Sequence, residues 1–586
     1  MELDLVSLRA LYKSAKAKPS DVVAAVYDRI AASDAPIWIS TLPREKALAK
    51  ARKLENSPLA DALPLYGVPF AVKDNIDVAC LPTTAACPAY AYSPARSATV
   101  VQSLVEAGAI PIGKTNLDQF ATGLVGTRSP HGACSSVFDE RYISGGSSSG
   151  SAVAVASGVA SFSLGTDTAG SGRVPAAFNN LVGLKPTRGV LSTRGVVPAC
   201  RTLDCVSIFG SNCADAHTVY LAARGFDPED AYSRAPRPGD GAAPWSGGAF
   251  SFGVPSVDQL EFFGDDAAAG LFAAAVAALE TLGGHRVEID FSIFRAAANL
   301  LYAGPWVAER YAAIRSFIEA HGDEMNPVVR DIIEGAGRYS AADCFAAEYR
   351  LADLRRAAES QWESIDVLVL PTTGTIFTHD EVAADPVQRN TDLGYYTNCV
   401  NLLDLSAVAA PAGFRENGLP FGISFIGPAF ADEALLALAA RFQGANLPLE
   451  SIPGCVTVAV VGAHLSGQPL NTQITDRGGR LVRACRTAPG YRLFALEGTI
   501  PSKPGLVRDN AFRGPGIEVE VWAVLEDQFG SFVAGVPAPL GIGNAVLEDG
   551  ATVKCFICET YALEGATEIT RFGGWRGYLS QSLLTR

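Results

Sequence analysis

SGGSSSGSAVAVASG (residues 144–158) and SLGTDTAGSGRVPAAFN (residues 163–179) are the stretches of this sequence that decide its fold. Each is a turn of small residues that leads into an apolar, Ala-containing segment. Small residues let a ligand approach the backbone closely, and the successive N–H groups from Thr168 to Ser171 are spaced to surround an oxyanion. The first stretch lacks the Gly-Lys-Ser/Thr ending of a phosphate-binding Walker loop. Both stretches also fit ordinary tight turns before helices.

A third stretch, GVPFAVKDNID (residues 67–77), places Lys73 at the end of an apolar strand. Most strand-end lysines are solvated surface charges. Here the strand reads as fully buried, and burial disfavours the charged form of a lysine, which can then lose its proton near neutral pH. A neutral lysine can act as a general base.

Hydrophobic patterning predicts an α/β protein with a second, β-rich part. Residues 1–60 show helical spacing of apolar residues, and from Leu65 short apolar strands alternate with Gly-rich turns and helices. Residues 265–363 are predicted to be mostly helical, with strands at 366–371 and 421–427. The Pro/Gly-rich residues 234–248 predict a surface loop or insertion.

A change from alternating strand and helix patterns to mainly strand-like segments predicts a boundary between two domains. Residues 444–454 carry two prolines and two glycines, which predicts a linker at 446–454 between a first domain at 1–445 and a second at 455–586. The second contains strand-like segments such as VTVAVVG and IEVEVWAV. Its Cys555 and Cys558 form one CxxC pair, which fits buried core thiols better than a zinc site because no second pair accompanies it.

Composition limits the possible partners. The 586 residues carry a net charge of −14, which argues against a nucleic-acid partner and weakly against an anionic membrane surface. We see neither a signal peptide nor a membrane span, and the twelve cysteines follow no disulfide framework. These features predict a cytoplasmic protein, and its acidic surface does not exclude a small anionic substrate. None of the motifs calls for a cofactor or a metal.

Taken together, the three stretches resemble the amidase signature family, over about residues 20–440. DVLVLPTT (366–373), NLLDLSAVAAPAG (401–413) and GLPFGISFIGP (418–428) fit the same family. The resemblance implies an α/β fold with a mixed central sheet covered by helices. It also implies a Ser-cisSer-Lys relay.

The family resemblance assigns roles to individual residues. Ser171 matches the nucleophile that forms the acyl-enzyme, Ser147 the bridging serine after a cis peptide bond, and Lys73 the base. The N–H groups of Thr168, Ala169, Gly170 and Ser171 would hold the oxyanion.

The chain departs from the family pattern at one position. Many members have Gly-Gly before the nucleophile, where this chain has Ala169-Gly170. Alanine still offers an N–H but restricts the backbone. A His-based triad is a weaker alternative, for which His131 is the nearest candidate.

The stretch LYAGPWVAERY (residues 301–311) bears on the substrate. Gly304-Pro305 predicts a helix start that places Arg310 in the second turn. The residue pattern alone fits a structural role equally well, with Arg310 as a solvent-exposed helix arginine and Tyr302 as a core tyrosine. Together with the polar loop 116–136 and the C-terminal domain, this stretch resembles the allophanate hydrolases, and that resemblance covers the whole chain.

The allophanate hydrolase resemblance implies a reaction in urea nitrogen metabolism. The amidase domain of that family releases ammonia from allophanate and leaves N-carboxycarbamate. Arg310 would bind the substrate carboxylate, Tyr302 would hydrogen-bond the ureido group, and Gly123 and Gly126 would line the pocket.

The C-terminal domain resembles the small β-barrel of γ-glutamyl cyclotransferase-like proteins, on the stretch VVGAHLSGQPLN (residues 460–471). In allophanate hydrolases such a domain is thought to assist breakdown of the carboxycarbamate. His464 is therefore a candidate acid–base residue, although a lone loop histidine is more often structural.

The sequence leaves other functions open. A broad-specificity amidase and a glutaminase-type amidotransferase subunit share the same signature, but the appended β-rich domain counts against both. A non-catalytic binding protein on an amidase fold is the alternative of another class, and the intact set of Lys73, Ser147 and Ser171 argues against it. A homodimer is expected by family resemblance.

Overall fold

The structure is a computed structural model that describes residues 1–57, 63–235, 249–302, 304–447, 455–548 and 550–584. The chain divides into two compact units, the first formed by residues 1–235 and 251–447 and the second containing the C-terminal residues. The loop expected at 234–248 and the linker expected at 446–454 fall mostly on residues 236–248 and 448–454, which lie outside the described residues.

The helices of the first unit lie mainly between successive strands and in one long helical region after residue 265. They are α1 (Leu5–Lys13), α2 (Pro19–Ala31), α3 (Arg44–Glu55), α4 (Thr99–Glu106), α5 (Ser149–Ala156), α6 (Val174–Phe178), α7 (Cys213–Ala223), α8 (Asp266–Thr281), α9 (Ser292–Tyr302), α10 (Trp306–His321), α11 (Pro327–Glu334), α12 (Ala341–Glu359), α13 (His379–Ala384), α14 (Gln388–Leu393), α15 (Cys399–Leu402) and α16 (Asp432–Phe442).

The strands of the first unit, apart from a short hairpin of β4 and β5, belong to one sheet. They are β1 (Trp38–Thr41), β2 (Pro69–Lys73), β3 (Ile110–Thr115), β4 (Ser135–Ser136), β5 (Asp139–Ile143), β6 (Phe162–Asp167), β7 (Val182–Lys185), β8 (Cys205–Gly210), β9 (Phe250–Pro255), β10 (Gly284–Ile289), β11 (Val367–Pro371), β12 (Ser406–Phe414) and β13 (Pro420–Gly427).

Among the described residues eleven strands form the sheet, in the order β1-β3-β2-β6-β8-β7-β12-β13-β11-β9-β10. β2 runs parallel to β3 and β6, whereas β8, β7, β12 and β13 pair antiparallel with their neighbours. The prediction of a mixed central sheet covered by helices is confirmed. The prediction of helices alone for residues 1–60 was incomplete. WIST, with two β-branched residues, forms the edge strand β1.

The parallel trio β3-β2-β6 positions the chemistry. Every residue of these three strands is buried, as expected for strands covered on both faces. Because Val72 pairs with Leu164 and Lys73 with Thr115, the carboxyl ends of all three strands meet at one edge of the sheet. Ligands of open α/β sheets bind at such an edge.

Helix α5 packs against this trio unusually closely. Its sequence SGSAVAVA contains only small and β-branched residues, and all but its last residue are buried. A Cβ at Gly150 would lie 2.5 Å from the carbonyl oxygen of Ile37 and 2.7 Å from the amide nitrogen of Asn116. Glycine at this position is therefore required by contact between backbones.

The second unit is β-rich, as predicted. Its strands are β14 (Cys455–Val460), β15 (Arg480–Arg486), β16 (Tyr491–Ala495), β17 (Pro504–Arg508), β18 (Glu518–Leu525), β19 (Leu540–Val546), β20 (Thr552–Cys558) and β21 (Thr567–Glu568), and its helices are α17 (Thr472–Thr475), α18 (Glu526–Ala534) and α19 (Trp575–Leu584). They form a five-stranded sheet, β15-β18-β14-β20-β19, and a three-stranded sheet, β17-β16-β21. Both sheets contribute to one apolar core, which includes Cys555. Nowhere in the described ranges of the chain is a helix long and apolar enough to cross a membrane.

Candidate active site

Lys73 lies at the carboxyl end of β2 and has no solvent exposure. Its Nζ donates to three hydroxyl oxygens: Oγ of Ser147 at 2.7 Å, Oγ of Ser148 at 2.9 Å and Oγ1 of Thr166 at 2.8 Å. An amine surrounded by hydroxyl groups, rather than by carboxylates in contact, is only weakly stabilised in its charged form.

The pKa of Lys73 is lowered to about 7, chiefly because burial disfavours the ammonium form. The charges of Asp118, Asp167 and Asp204 act in the opposite direction, and that of Arg310 adds to the lowering. A substantial fraction of Lys73 is therefore neutral near pH 7 and able to accept a proton. The expectation of a buried lysine that titrates near neutral pH agrees with this environment.

Ser147 follows a cis peptide bond with Gly146, as the family resemblance implied. It sits just before α5, and its side chain is fully buried. Gly145, with φ +72°, occupies the left-handed region that favours glycine. The Gly-Gly-Ser turn thus delivers the Ser147 hydroxyl to Lys73.

Ser171 lies in the turn between β6 and α6 and is 3% exposed. Its hydroxyl donates to the carbonyl oxygen of Gly123 at 3.3 Å. Within the described ranges no hydrogen bond joins Ser171 to Ser147. The first link of the predicted relay, Lys73 to Ser147, is thus formed in this structure, whereas the Ser171 hydroxyl points to a different acceptor.

Asp167 accepts two backbone hydrogen bonds from the segment that contains the predicted oxyanion donors. The Gly170 N–H donates to Asp167 Oδ1 at 2.8 Å and the Gly172 N–H to Oδ2 at 3.1 Å. The Gly170 N–H is thereby occupied, so Thr168, Ala169 and Ser171 are the predicted oxyanion donors whose N–H groups have no such partner in the described part of the chain. The Thr168 hydroxyl donates to Asp204.

Asp167 forms a buried ion pair with Arg173 on the other side of the nucleophile. Arg173 Nε lies 2.9 Å from Oδ2 and its Nη2 3.0 Å from Oδ1, and neither side chain is exposed. Burial alone would raise the pKa of Asp167, but Arg173 and the N–H donors lower it below its ordinary value. The same guanidinium donates to the carbonyl oxygen of Thr397. Residues on both sides of Ser171, Gly170 before it and Gly172 and Arg173 after it, therefore donate to the same carboxylate.

Arg310 and Tyr302 lie together on neighbouring helices. Helix α10 begins at Trp306 after Pro305, as Gly304-Pro305 predicted, and Arg310 is 2% exposed rather than solvated. Its Nη1 donates to Thr122 Oγ1 at 3.1 Å and its Nη2 to the Tyr302 hydroxyl at 3.4 Å. Its buried Nε has no hydrogen-bond partner among the described residues.

The loop that contains Gly123 and Gly126 connects these groups. Thr122 accepts from Arg310, and the adjacent Gly123 accepts from Ser171. The Gly126 N–H is already bound, to Asp118 Oδ2 at 3.0 Å. His131, the alternative triad histidine, makes no hydrogen bond to Lys73 or to either serine in the described part of the structure.

His464 belongs to the second unit, where it packs against an aromatic side chain. Its ring stacks on Phe556 with 4.8 Å between ring centroids, and Nε2 lies 3.0 Å from Gln473 Oε1. It lines a cavity of about 170 Å³ together with Gln473 and Lys503. Burial lowers the pKa of His464, which favours the neutral ring at pH 7.

Sequence reasoning missed several polar residues that hold this site. Asp167 and Arg173 were inside a quoted motif, and two opposite charges in an otherwise uncharged stretch were the available signal. Asp118 and Thr122 lie in the polar loop 116–136, whose composition does not distinguish them from its other polar residues. The sequence around Asp204 contains no motif that would mark it, because its contact with Thr168 forms only when segments 36 residues apart come together.

The chain belongs to the amidase family of amide hydrolases, which it matches over residues 21–436. Residues 456–580 match the allophanate hydrolase C-terminal domain.

Three known proteins are similar to most of this chain: a urea amidolyase, an allophanate hydrolase and a peptide amidase. The chain is 46% identical to the urea amidolyase of Saccharomyces cerevisiae over 571 residues, which is 92% of this chain and 31% of that protein. It therefore spans about a third of the length of the curated urea amidolyases. The allophanate hydrolase structure from Kluyveromyces lactis is 43% identical, covers 97% of this chain and 98% of its own, and superposes with a TM-score of 0.80. The peptide amidase structure from Stenotrophomonas maltophilia is 27% identical, covers 77% of this chain and 98% of its own, and superposes with a TM-score of 0.63.

Proposed function

We propose that this chain hydrolyses allophanate, a urea that carries one carboxylate, with Ser171 as nucleophile and Ser147 and Lys73 as the proton relay. One observation carries the proposal: Ser171 and Arg310 hydrogen-bond to the adjacent residues Gly123 and Thr122. The predicted nucleophile and a buried guanidinium therefore face one loop. A substrate that spans them needs an amide at one end and an anion at the other.

Acylation begins with a proton transfer along the relay. In the neutral form of Lys73 the 2.7 Å hydrogen bond is reversed, so that the Ser147 hydroxyl donates to Nζ. Lys73 then accepts the Ser147 proton while Ser147 accepts the proton of Ser171. For this step the Ser171 hydroxyl rotates from Gly123 toward Ser147. Its Oγ attacks the terminal amide carbon, and N–H groups of the 168–171 loop stabilise the oxyanion.

Ammonia leaves when the proton returns through Ser147 to the amide nitrogen. Water then attacks the acyl-enzyme, with Lys73 and Ser147 again accepting the proton, and Ser171 is released together with N-carboxycarbamate. Two protein groups bind the substrate. The Nε of Arg310, which has no partner among the described residues, and a neighbouring N–H suit a carboxylate, and the Tyr302 hydroxyl suits the ureido group.

The second unit is proposed to assist breakdown of N-carboxycarbamate to carbon dioxide or bicarbonate and a second ammonia. The match to the allophanate hydrolase C-terminal domain and the cavity beside His464 support this part. The domain limits at 1–445 and 455–586, the cytoplasmic location and the homodimer also stay proposals. Sedimentation velocity tests the homodimer.

Steady-state assays with allophanate, malonamide and glutamine test the function. We expect kcat/KM to be highest for allophanate, because malonamide has no carboxylate for Arg310, and glutamine carries its carboxylate three carbons away from the amide, beside an ammonium group. A higher kcat/KM for glutamine would support the amidotransferase-type activity, and one for malonamide a broad amidase. Either result would overturn the proposal.

A further inference from the structure

Asp118 is a fully buried carboxylate that the proposed relay does not use. It follows β3 by three residues, at the sheet edge where Lys73 also lies. Both of its oxygens accept backbone hydrogen bonds from the loop 122–128: Oδ2 from the Gly126 N–H at 3.0 Å and Oδ1 from the Arg128 N–H at 2.9 Å. One side chain therefore fixes the far end of this loop at two points.

The backbone of Asp118 contacts the bridging serine. Its N–H donates to the carbonyl oxygen of Ser147 at 3.0 Å. A Cβ at Gly146 would overlap Asp118 Oδ2, and a Cβ at Gly123 would lie 2.5 Å from the same atom. The carboxylate is thus packed against both the Gly146–Ser147 peptide and the residue that accepts from Ser171.

These contacts place three functional groups under the control of one residue. Ser147 is held directly, Ser171 through Gly123, and Arg310 through Thr122 in the same loop. We propose that Asp118 is a positioning residue that sets the mutual placement of Ser147, Ser171 and Arg310 for amide hydrolysis. The proposal rests on the function proposed above and concerns how that site is assembled.

Asp118 also acts on Lys73 through its charge. Burial raises the pKa of Asp118, whereas the Arg128 guanidinium and the two N–H donors favour its ionised form. The negative charge in turn raises the pKa of Lys73. Asp167 from β6 and Asp204 before β8 act in the same sense, and Arg310 from α10 acts in the opposite one. Removal of the Asp118 charge should therefore make Lys73 easier to deprotonate.

The test is Asp118→Asn in the full chain, assayed with whichever amide the wild-type protein hydrolyses best. Failure of allophanate as a substrate would then overturn the proposed function while leaving this test intact. Displacement of the reacting groups should lower kcat by on the order of 10²-fold. The acid limb of the kcat/KM profile should move to lower pH. The KM for a carboxylate substrate should rise, because the partner of Arg310 moves.

Two further variants separate positioning from charge. Asp118→Glu keeps the charge but lengthens the side chain, so kcat should fall while the acid limb stays in place. Gly126→Ala strains the same loop without changing a charge, because Gly126 has φ +76° and its Cβ would lie 2.5 Å from the Gly145 carbonyl oxygen. It should lower kcat without moving the limb.

Asp432→Asn is the matched control. Asp432 is also buried and accepts from the N–H and the hydroxyl of Thr187, a residue outside the proposed site. The variant should lower the melting temperature and leave the acid limb unchanged. Wild-type kcat in Asp118→Glu, or wild-type kcat and KM in a folded Asp118→Asn, would overturn the proposal, and an unmoved limb in Asp118→Asn would contradict the charge effect on Lys73. If Asp118→Asn does not fold, the kcat of Asp118→Glu decides.

Discussion

Lys73 and Ser147 are joined by a hydrogen bond of 2.7 Å although both side chains are completely buried. The lysine therefore meets its partner without an intervening water, in surroundings that favour its neutral form. Its protonation state becomes the property on which the rate depends.

The rate should fall as the pH falls through the pKa of Lys73. That pKa is lowered to about 7, and the base is needed unprotonated, so kcat/KM should rise about tenfold per unit below pH 7 and level off above it. A profile measured from about pH 5.5 to 9 spans this range and checks the prediction. Lys73→Met should abolish the activity at every pH. A profile that is flat down to the acid end of that range would show that another group supplies the base.

Ser171→Ala should remove ammonia release and leave the fold intact. The serine Oγ donates one hydrogen bond of 3.3 Å, to Gly123, so its loss costs little stability. Loss of a nucleophile typically lowers kcat by about 10³-fold or more. Ammonia release and the melting temperature are the two measurements. Ser157→Ala, a serine at the end of α5 whose hydroxyl donates to the Val153 carbonyl, is the control. Ammonia release that persists in Ser171→Ala would refute the mechanism.

Arg310→Ala should discriminate between substrates. Its guanidinium is buried, with an Nε that no described residue accepts from, so kcat/KM should fall by about 10²-fold or more for allophanate and much less for a neutral amide. Arg310→Lys keeps the charge but loses the planar pair of donors, and should recover only part of the loss. Equal losses with both substrates would mean that Arg310 supports the structure alone.

Arg173→Met should destabilise the first unit strongly. It leaves the buried carboxylate of Asp167 without its cation, which typically costs about 3–5 kcal/mol. Urea titration of the full chain, followed by a signal from the first unit, measures the change. Arg356→Ala, which removes an exposed partner of Glu359, should leave the free energy of unfolding unchanged. A stable Arg173→Met with normal activity would contradict the assigned role of the pair.

His464→Gln should separate the two steps of the proposed reaction. The first ammonia should appear at the wild-type rate, because the variant leaves the first unit untouched, while release of carbon dioxide should slow. Stopped assays of both products check this. His321→Gln changes an exposed histidine on α10 and serves as the control. An unchanged rate of carbon dioxide release would assign His464 to packing against Phe556.

The parts of the site that could be predicted from sequence are those encoded in short motifs. Lys73, Ser147 and Ser171 follow strand ends and Gly-rich turns, which made them candidates, and the resemblance to the amidase signature family implied their roles. The α/β alternation and the β-rich second unit were likewise visible in the pattern of apolar residues, whereas the mixed order of the sheet was implied by the resemblance.

The parts that could not be predicted depend on contacts between distant segments. Asp204 meets the Thr168 hydroxyl, and Thr122 meets Arg310, across 36 and 188 residues of sequence. Occupation of the Gly170 N–H by Asp167 was missed for another reason: the sequence shows that an N–H exists but not which acceptor it meets.

Helix α5 limits how this scaffold can change. Gly150 lies against the backbone at Ile37 and Asn116, so this position has no space for any side chain. Mutations there are expected to eliminate the protein rather than alter it. In the proposed site, changes of substrate preference are expected on α9 and α10, which carry Tyr302 and Arg310. We therefore expect substrate preference to change more readily on α9 and α10 than at the packed position Gly150.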